Sequence, residues 1–353
     1  MAGVGLPDSE WLARTHEDAL DPQQRICDAH HHYWDRPVPG SGNFRYLFDE
    51  FAADLATGHN VCASVTVEAG AFLRPGLTPG TMYRADGPKE LESLGETEFL
   101  NGMAAMARSR AYSPANISAG LVAFANLSLG DAVGEILDMH CAYRRVRGIR
   151  NLTFYHEDAA LGFPDLEIEP GVLGSDAFRA GFRCLADRDL TYDATALPTQ
   201  IPEVTALARA FPTVRIVLNH IGGIFGAGPY DGRRQESFDL WRSAMQELAT
   251  CPNVFVKIGG MSNARSGFNL RNRPAPARSQ ELAALWKPYV ETCIELFGAD
   301  RCMFESNFPV EKQSVSYTVL WNSFKLLTNG CSADEKDRLF FQSAVDFYRL
   351  ELV

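Results

Sequence analysis

The sequence lacks the patterns that mark membrane and nucleic-acid-binding proteins. None of its apolar runs approaches the roughly 20 residues that cross a bilayer. No basic segment followed by an apolar core precedes residue 26, so we expect a cytoplasmic protein. The net charge of −11 provides no basic surface for nucleic acid. A small-molecule substrate is therefore the expected partner, and local arginines can still make it an anionic one.

Several catalytic and structural motifs are also missing. The eight cysteines are dispersed without a Cys-x-x-Cys pair, and some, such as Cys27 and Cys62, stand within apolar runs. We therefore expect reduced core thiols rather than disulfides or thiolate metal sites. No Gly-x-Ser-x-Gly elbow and no phosphate-binding loop occurs, which leaves serine-hydrolase and nucleotide-binding functions without support.

What the sequence does contain is an alternation of short apolar runs and helical patterns along its 353 residues. This alternation favours right-handed βαβ units and a parallel sheet. Eight such runs predict an α/β fold, a single-domain (β/α)8 TIM barrel over residues 26–353. Residues 1–25 are expected to form an N-terminal arm that tolerates change. The predicted strands are Arg25–His30, Val61–Glu68, Ile117–Asn126, Arg147–Thr153, Leu190–Thr195, Val214–His220, Val254–Gly259 and Cys302–Ser306.

Two predicted loops are long for a barrel. Ala69–Gly95 follows the second strand and includes Arg84, and Met261–Ser279 follows the seventh and carries four arginines. Both lie at C-terminal strand ends, the catalytic face of such barrels, and long loops are more often functional than connective. For any single loop arginine, a solvated surface position is the commoner alternative.

The most informative segment is Asp28–Asp35, which reads Asp-Ala-His-His-His-Tyr-Trp-Asp. Side chains alternate along a strand, so His30 and His32 should face one way and His31 the other. Two imidazoles at a strand end can hold a metal ion or an anionic substrate group. A structural or surface histidine cluster is the alternative.

A fourth histidine, His220, ends the apolar run that begins at Val214 and precedes two glycines. This position predicts an imidazole at the barrel mouth, where it could meet His30 and His32. Three neutral imidazoles suit zinc or another borderline divalent metal with an open position for water. A histidine at the edge of the core, bonded to a neighbouring strand, is the alternative.

The last strand contributes Glu305 and Asn307, which a regular strand would place on one face. Asn307 would then face the mouth and Glu305 the lumen one layer deeper. Glu305 is either a general acid or base or a buried structural glutamate paired with a cation. The candidate partners are Lys257, Arg147 and Arg150.

Weaker candidates lie at other strand ends. Glu68 closes the second strand, Asp193 lies in the fifth, and His156 follows the fourth as a substrate contact. Three further histidines in polar or helical contexts are expected at the surface: His16, His59 and His140.

Taken together, these segments resemble the amidohydrolase superfamily, in the branch of TIM-barrel hydrolases that includes 2-pyrone-4,6-dicarboxylate lactonase and sugar-acid lactonases. Asp28–Trp34 is similar to the first-strand Asp-x-His-x-His-x-Trp pattern. The resemblance covers roughly residues 26–350 in the order that the barrel requires. The other matching segments are Val146–Arg150, Leu197–Gly223, Asn253–Lys257 and Phe297–Pro309.

The chain departs from this family at three places. The usual last strand reads Gly-Ser-Asp-x-Pro with the aspartate as general base, and here Asn307 and Glu305 replace the aspartate and the glycine. An amide cannot take a proton from water, although it can orient one. Asn219 replaces the aspartate before His220, and the fifth strand has no histidine. A two-metal site with a carboxylated lysine is therefore not expected.

The resemblance implies a hydrolase of a small, anionic lactone or a related ester- or amide-like bond. His30, His32 and His220 would bind one divalent metal, zinc above others, or polarise the carbonyl directly, since some lactonases of this branch act without metal. Glu305 would be the base and Asn307 would orient water. Arg84, Arg147, Arg150, Glu68 and His156 are the expected substrate contacts.

Two alternatives remain open from the sequence. The same branch resembles metal-dependent decarboxylases of aromatic acids, which the absence of the hydrolytic aspartate makes more plausible. A catalytically silent ligand-binding barrel is the third reading, supported by Asn307 alone. Barrels of this kind often pair, so a homodimer is one expected assembly.

Overall fold

A computed structural model describes residues 7–38, 42–74, 89–162 and 168–352. It confirms the predicted α/β fold as a nearly closed (β/α)8 barrel with a small antiparallel hairpin at its mouth. The strands are β1 (Arg25–His31), β2 (Trp34–Val38), β3 (Gly42–Tyr46), β4 (Asn60–Val67), β5 (Asn116–Phe124), β6 (Val146–Arg150), β7 (Thr191–Ala194), β8 (Ile216–Leu218), β9 (Val254–Ile258) and β10 (Cys302–Phe304).

Helices lie between the strands and cover the sheet. They are α1 (Ser9–Leu12), α2 (Phe48–Leu55), α3 (Ser93–Arg108), α4 (Val133–Cys141), α5 (Asp176–Ala186), α6 (Ile201–Ala210), α7 (Arg234–Ala249), α8 (Ser279–Phe297), α9 (Tyr317–Leu327), α10 (Ala333–Asp337) and α11 (Ser343–Tyr348). Within the described residues, no helix is both long and apolar enough to cross a membrane.

The barrel strands pair in parallel in the order β1-β4-β5-β6-β7-β8-β9-β10. Backbone bonds close the ring at its mouth, because the amide of Asn307 donates to the carbonyl of His30 at 2.8 Å. The amide of His32 likewise donates to the carbonyl of Phe308 at 2.7 Å. The first and last strands are thus joined at the residues that the sequence singles out.

Most predicted strands end one to three residues earlier than their apolar runs suggest, and two of these early ends lie at the site. β8 stops at Leu218, since His220 and Ile221 adopt the left-handed conformation with φ of 56° and 52°. β10 stops at Phe304, and Asn307 has φ of 52°. His220 and Asn307 therefore lie on turns beyond their strands, where strand alternation no longer sets their direction.

The C-terminal segment closes the other end of the barrel. A π-helical turn, Arg338–Gln342, lies between the helices α10 and α11. Phe347, Tyr348 and Leu350 pack into the cluster of small apolar residues that lines the barrel interior. These side chains therefore fill part of the barrel interior.

The predicted N-terminal arm contains the short helix α1 and contacts the loop after β9. The indole of Trp11 donates to the carbonyl of Arg273 at 2.8 Å, and the hydroxyl of Thr15 donates to that of Pro276 at 2.8 Å. The carboxylate of Glu17 accepts from the amide of Ser279 at 2.9 Å. The arm therefore fastens the long loop after β9 to the barrel.

Two histidines expected at the surface are buried. His59 is 2.8 Å from the ammonium of Lys325, and His140 is 2.9 Å from the hydroxyl of Thr97. Burial lowers the pKa of each to about 4. Both predictions were wrong because a polar local sequence does not show which face of an element turns inward. The eight cysteines are free, and half of them are buried, whereas Cys141 is exposed.

Candidate active site

A cavity of about 150 Å³ opens at the C-terminal ends of the barrel strands. Four of the predicted site residues line it, namely His32, Arg150, His220 and Asn307. His30 and Glu305 lie directly behind them and are fully buried. The structure thus brings the core of the predicted site together at the mouth of the barrel.

Three histidines at the end of the first strand point in two directions. His31 turns away from the cavity, bonds the hydroxyl of Ser64 at 3.0 Å and stacks on Phe51. His32 donates from Nδ1 to the carbonyl of Val67 at 2.8 Å, because a carbonyl can only accept. Nε2 of His32 therefore carries a lone pair. This atom lies 3.1 Å from Nε2 of His30. Burial lowers the pKa of both His30 and His32 well below the usual range, so both rings are neutral at pH 7.

Glu305 and His220 form the central pair of the site. Oε1 of Glu305 lies 2.6 Å from Nδ1 of His220 and also accepts from the His220 amide at 3.1 Å. A proton on Nδ1 leaves Nε2 of His220 as a free lone pair. Glycines make room for this contact: a Cβ at Gly259 would meet Glu305 Cγ at 2.4 Å, and one at Gly260 would meet His220 Cγ at 2.6 Å.

Glu305 is not paired with a cation of the barrel, contrary to that alternative. Its Oε2 lies 3.1 Å from Nδ1 of His30 and has no hydrogen-bond partner among the described residues. Lys257 instead binds Asp193 at 2.6 Å, and both are fully buried. The hydroxyl of Tyr348 donates to the same Asp193 oxygen at 2.7 Å. A buried ion pair therefore lies beneath His30, whose Nδ1 is 3.1 Å from the Lys257 ammonium.

The two arginines of β6 take different roles. Arg150 donates from Nε to Glu68 at 2.6 Å, and its Nη1 lies 3.4 Å from Nε2 of His30. Glu68 does not line the cavity and instead orients the Arg150 guanidinium at its edge. Arg147 was wrongly expected at the substrate, since it lies three residues earlier on the strand and binds Glu351 near the C-terminus at 3.3 Å.

Two other predicted substrate contacts are not at the cavity. His156 accepts from the amide of Asp158 at 3.0 Å and packs its ring against Phe225. Its prediction as a substrate contact is therefore not supported, because the turn after β6 directs the imidazole to a neighbouring loop. Arg84 lies outside the described residues.

The structure adds cavity residues that were not among the predicted site residues. Asn219 is 1% exposed and lines the cavity with both amide atoms lacking a partner among the described residues. Thr195, Asn263 and Arg265 also line it, and burial lowers the pKa of Arg265 to about 10. The sequence signals for Asn219 were its place next to His220 at a strand end and its replacement of the aspartate of the resembled family.

The donor set at the base of the cavity fits a divalent metal. Ligand atoms of His30, His220 and Glu305 all lie within 4.8 Å of one another. Two imidazoles and a carboxylate are a set that zinc accepts, and the partnerless Oε2 of Glu305 is a buried acceptor that a cation would satisfy. The set differs from the predicted one, because Glu305 takes the place of His32.

Behind the cavity, Glu96 supports the start of the loop after β4. Its Oε1 accepts from the amide of Ala69 at 2.8 Å. Burial, followed by the charge of Glu68, raises the pKa of Glu96 to about 8. The ordinary value is about 4.3, so the folded state binds this proton more firmly than the unfolded chain does. The contribution of the Glu96 proton to the free energy of unfolding is fully present below pH ~4. It is lost as the pH rises toward 8.

We therefore expect Glu96→Gln to raise the free energy of unfolding more at pH 9 than at pH 6, by on the order of 2 kcal/mol. The amide keeps the acceptor for Ala69 and removes the buried charge. Urea unfolding at the two pH values measures the difference, with the exposed Glu135→Gln as control. Equal gains at both pH values would contradict a titrating Glu96.

Comparisons with known proteins agree with this geometry. A family model described as amidohydrolase matches residues 27–350. The chain belongs to the amidohydrolase family. An uncharacterized protein of Sinorhizobium fredii, y4mH, is 34% identical over 343 residues, which are 92% of this chain and 98% of the relative. The family match shows that the chain is an enzyme of the amidohydrolase family.

Relatives and structures of named function are more distant. An L-fucono-1,5-lactonase of Burkholderia ambifaria is 27% identical, covering 78% of this chain and 90% of the relative. A Burkholderia multivorans amidohydrolase structure with bound zinc has a TM-score of 0.65 at 21% identity, covering 92% of this chain and 99% of that one. A 5-carboxyvanillate decarboxylase of Novosphingobium aromaticivorans shares the fold at a TM-score of 0.54 and 13% identity, covering 94% and 97%.

Proposed function

We propose that this amidohydrolase hydrolyses a small lactone or a related ester- or amide-like bond. The observation that carries the proposal is the 2.6 Å contact between His220 and the fully buried Glu305. A buried carboxylate on Nδ1 fixes the imidazole tautomer and stabilises the imidazolium that forms when Nε2 takes a proton. The His220 side chain is 21% exposed, so its other edge can reach a bound water or substrate.

Hydrolysis of a lactone would proceed with His220 carrying one proton of the water. Nε2 of His220 takes a proton from water as the water oxygen bonds to the carbonyl carbon. The ring C–O bond then breaks, and the same proton passes from His220 to the leaving ring oxygen. The product is a hydroxy acid, whose carboxyl proton dissociates at neutral pH.

Other residues of the cavity assist this step. The cationic Arg150, held by Glu68, lies at the cavity edge where negative charge on the carbonyl oxygen would develop. Asn307 lines the cavity with a buried Oδ1 that lacks a partner among the described residues, so it can accept from and orient the water. The likeness to an L-fucono-1,5-lactonase supports this choice of bond.

A divalent metal is a second component of the proposal. Held by His30, His220 and Glu305, it would polarise the carbonyl and make a nearby water more acidic. With the metal bound, His220 would be a ligand rather than the base, and the metal would supply the acidity of the water in its place.

The experiment that tests the function is hydrolysis of a lactone panel by the purified enzyme, with ring opening followed by acid release. We expect turnover together with one divalent ion per chain by elemental analysis, lost in His30→Ala. Turnover without metal would assign the proton transfer to His220 alone. Release of carbon dioxide without ring opening would establish decarboxylation instead, and binding without any turnover would establish a silent barrel.

A further inference from the structure

The walls of the cavity are made mainly of hydrocarbon. Such walls favour an apolar or aromatic ring and give no partner to hydroxyl groups. The side chains that form them come from five separate segments of the chain: Trp34, Leu152 and Phe154, Leu197, Ile224, and Val310.

One part of the lining, in contrast, has unused hydrogen-bonding atoms. Both amide atoms of Asn219, the hydroxyl of Thr195 and Oδ1 of Asn307 are buried without a partner among the described residues. Buried polar groups in native proteins are nearly always hydrogen-bonded, and exceptions require an explanation such as a missing ligand. All three residues line the cavity, and Asn219 directly precedes His220. A ligand with one polar edge would satisfy these atoms.

We infer that the substrate is a compact apolar or aromatic ring with a single polar edge, and that Asn219 and Thr195 bind this edge. The carboxamide of Asn219 offers a donor and an acceptor together, and the hydroxyl of Thr195 can take either role. The inference rests on the proposed function and narrows its substrate class.

The same geometry selects against sugar lactones. A lactone with a hydroxyl on most ring carbons would press several of them against the hydrocarbon walls. Each hydroxyl that loses water without gaining a partner lowers affinity by about tenfold. Two such hydroxyls give an expected preference of about 100-fold for the apolar ring.

The experiment compares dihydrocoumarin, an aromatic lactone, with D-glucono-1,5-lactone. Their ring-opened products, 3-(2-hydroxyphenyl)propanoate and gluconate, serve as binding probes that need no turnover. We expect kcat/KM to favour dihydrocoumarin by at least about 100-fold, and calorimetry to show the same order for the two products.

The outcomes separate this inference from the proposed function. Equal or better use of the sugar lactone would overturn the inference and leave hydrolysis intact. Binding of the aromatic product with no hydrolysis of either lactone would support the inference and remove the proposed function. Failure of both products to bind, or tighter binding of gluconate, would overturn the inference.

Two substitutions test whether Asn219 and Thr195 bind the polar edge of the substrate. Asn219→Leu and Thr195→Val should each raise KM and the product dissociation constant by about tenfold with a smaller change in kcat. Asn219→Asp keeps the shape and an acceptor, and it guards against loss of folding in the leucine variant. Thr205→Val is the matched control, because that hydroxyl bonds the Ile201 carbonyl on α6 at 3.2 Å. Unchanged binding in both cavity variants would contradict the assignment.

Discussion

Glu305→Gln should lower kcat by about 10³- to 10⁴-fold while the protein stays folded. The glutamine amide can present a donor to Nδ1 of His220, which would reverse the tautomer and remove the lone pair from Nε2. The loss should appear in kcat more than in KM, because Glu305 does not line the cavity. Steady-state kinetics on the best lactone of the panel measures the effect.

Two further variants make this result decisive. His220→Gln should be about as slow as Glu305→Gln, and the double variant no slower than either, because the two residues act as one unit. Glu203→Gln, on α6 and away from the cavity, should keep wild-type turnover. Full turnover of Glu305→Gln would remove Glu305 from the mechanism.

Lys257→Met should lower the free energy of unfolding by about 3–5 kcal/mol, the largest stability effect that we expect. The substitution leaves the Asp193 carboxylate fully buried without its cation. Adding Asp193→Asn should restore most of the loss, since the amide has the same size and still accepts from the hydroxyl of Tyr348. Urea unfolding of the single and double variants gives the coupling energy.

A more exposed ion pair provides the comparison. Lys312 binds Asp54 at 2.6 Å, but these side chains are 22% and 13% exposed. Lys312→Met should therefore cost less than Lys257→Met, because water partly solvates the carboxylate that remains. A larger loss of unfolding free energy in Lys312→Met than in Lys257→Met would contradict the role given to burial of the Lys257–Asp193 pair.

The fold was predictable from the sequence because barrel strands are apolar runs at regular spacing. All eight runs became strands of one sheet, in sequence order. The meeting of His30, His32 and His220 followed from the same logic, since parallel strands end on one face. The order of the strands, together with histidines at their ends, therefore indicated where the site lies.

The details of the site depended on contacts that a linear pattern does not contain. The left-handed turns at His220 and Asn307 moved both side chains out of strand alternation. Lys257 pairs with Asp193 rather than with Glu305. Both acids are distant from Lys257 in the sequence, and nothing in the sequence distinguishes them as its partner. Arg147 and Arg150 differ only in their depth along β6, which apolar spacing does not report.

The contacts of the N-terminal arm also affect the order in which the enzyme folds. Residues 11–17 are synthesised before the barrel, and their partners at 273–279 are more than 250 residues later in the chain. Such long-range contacts form after the intervening chain has been synthesised, and their loop-closure entropy delays them further. The loop that carries Asn263 and Arg265 into the cavity is thus secured at a late stage of folding. The strands of the barrel would therefore form before the loop after β9 is fixed in place at the binding site.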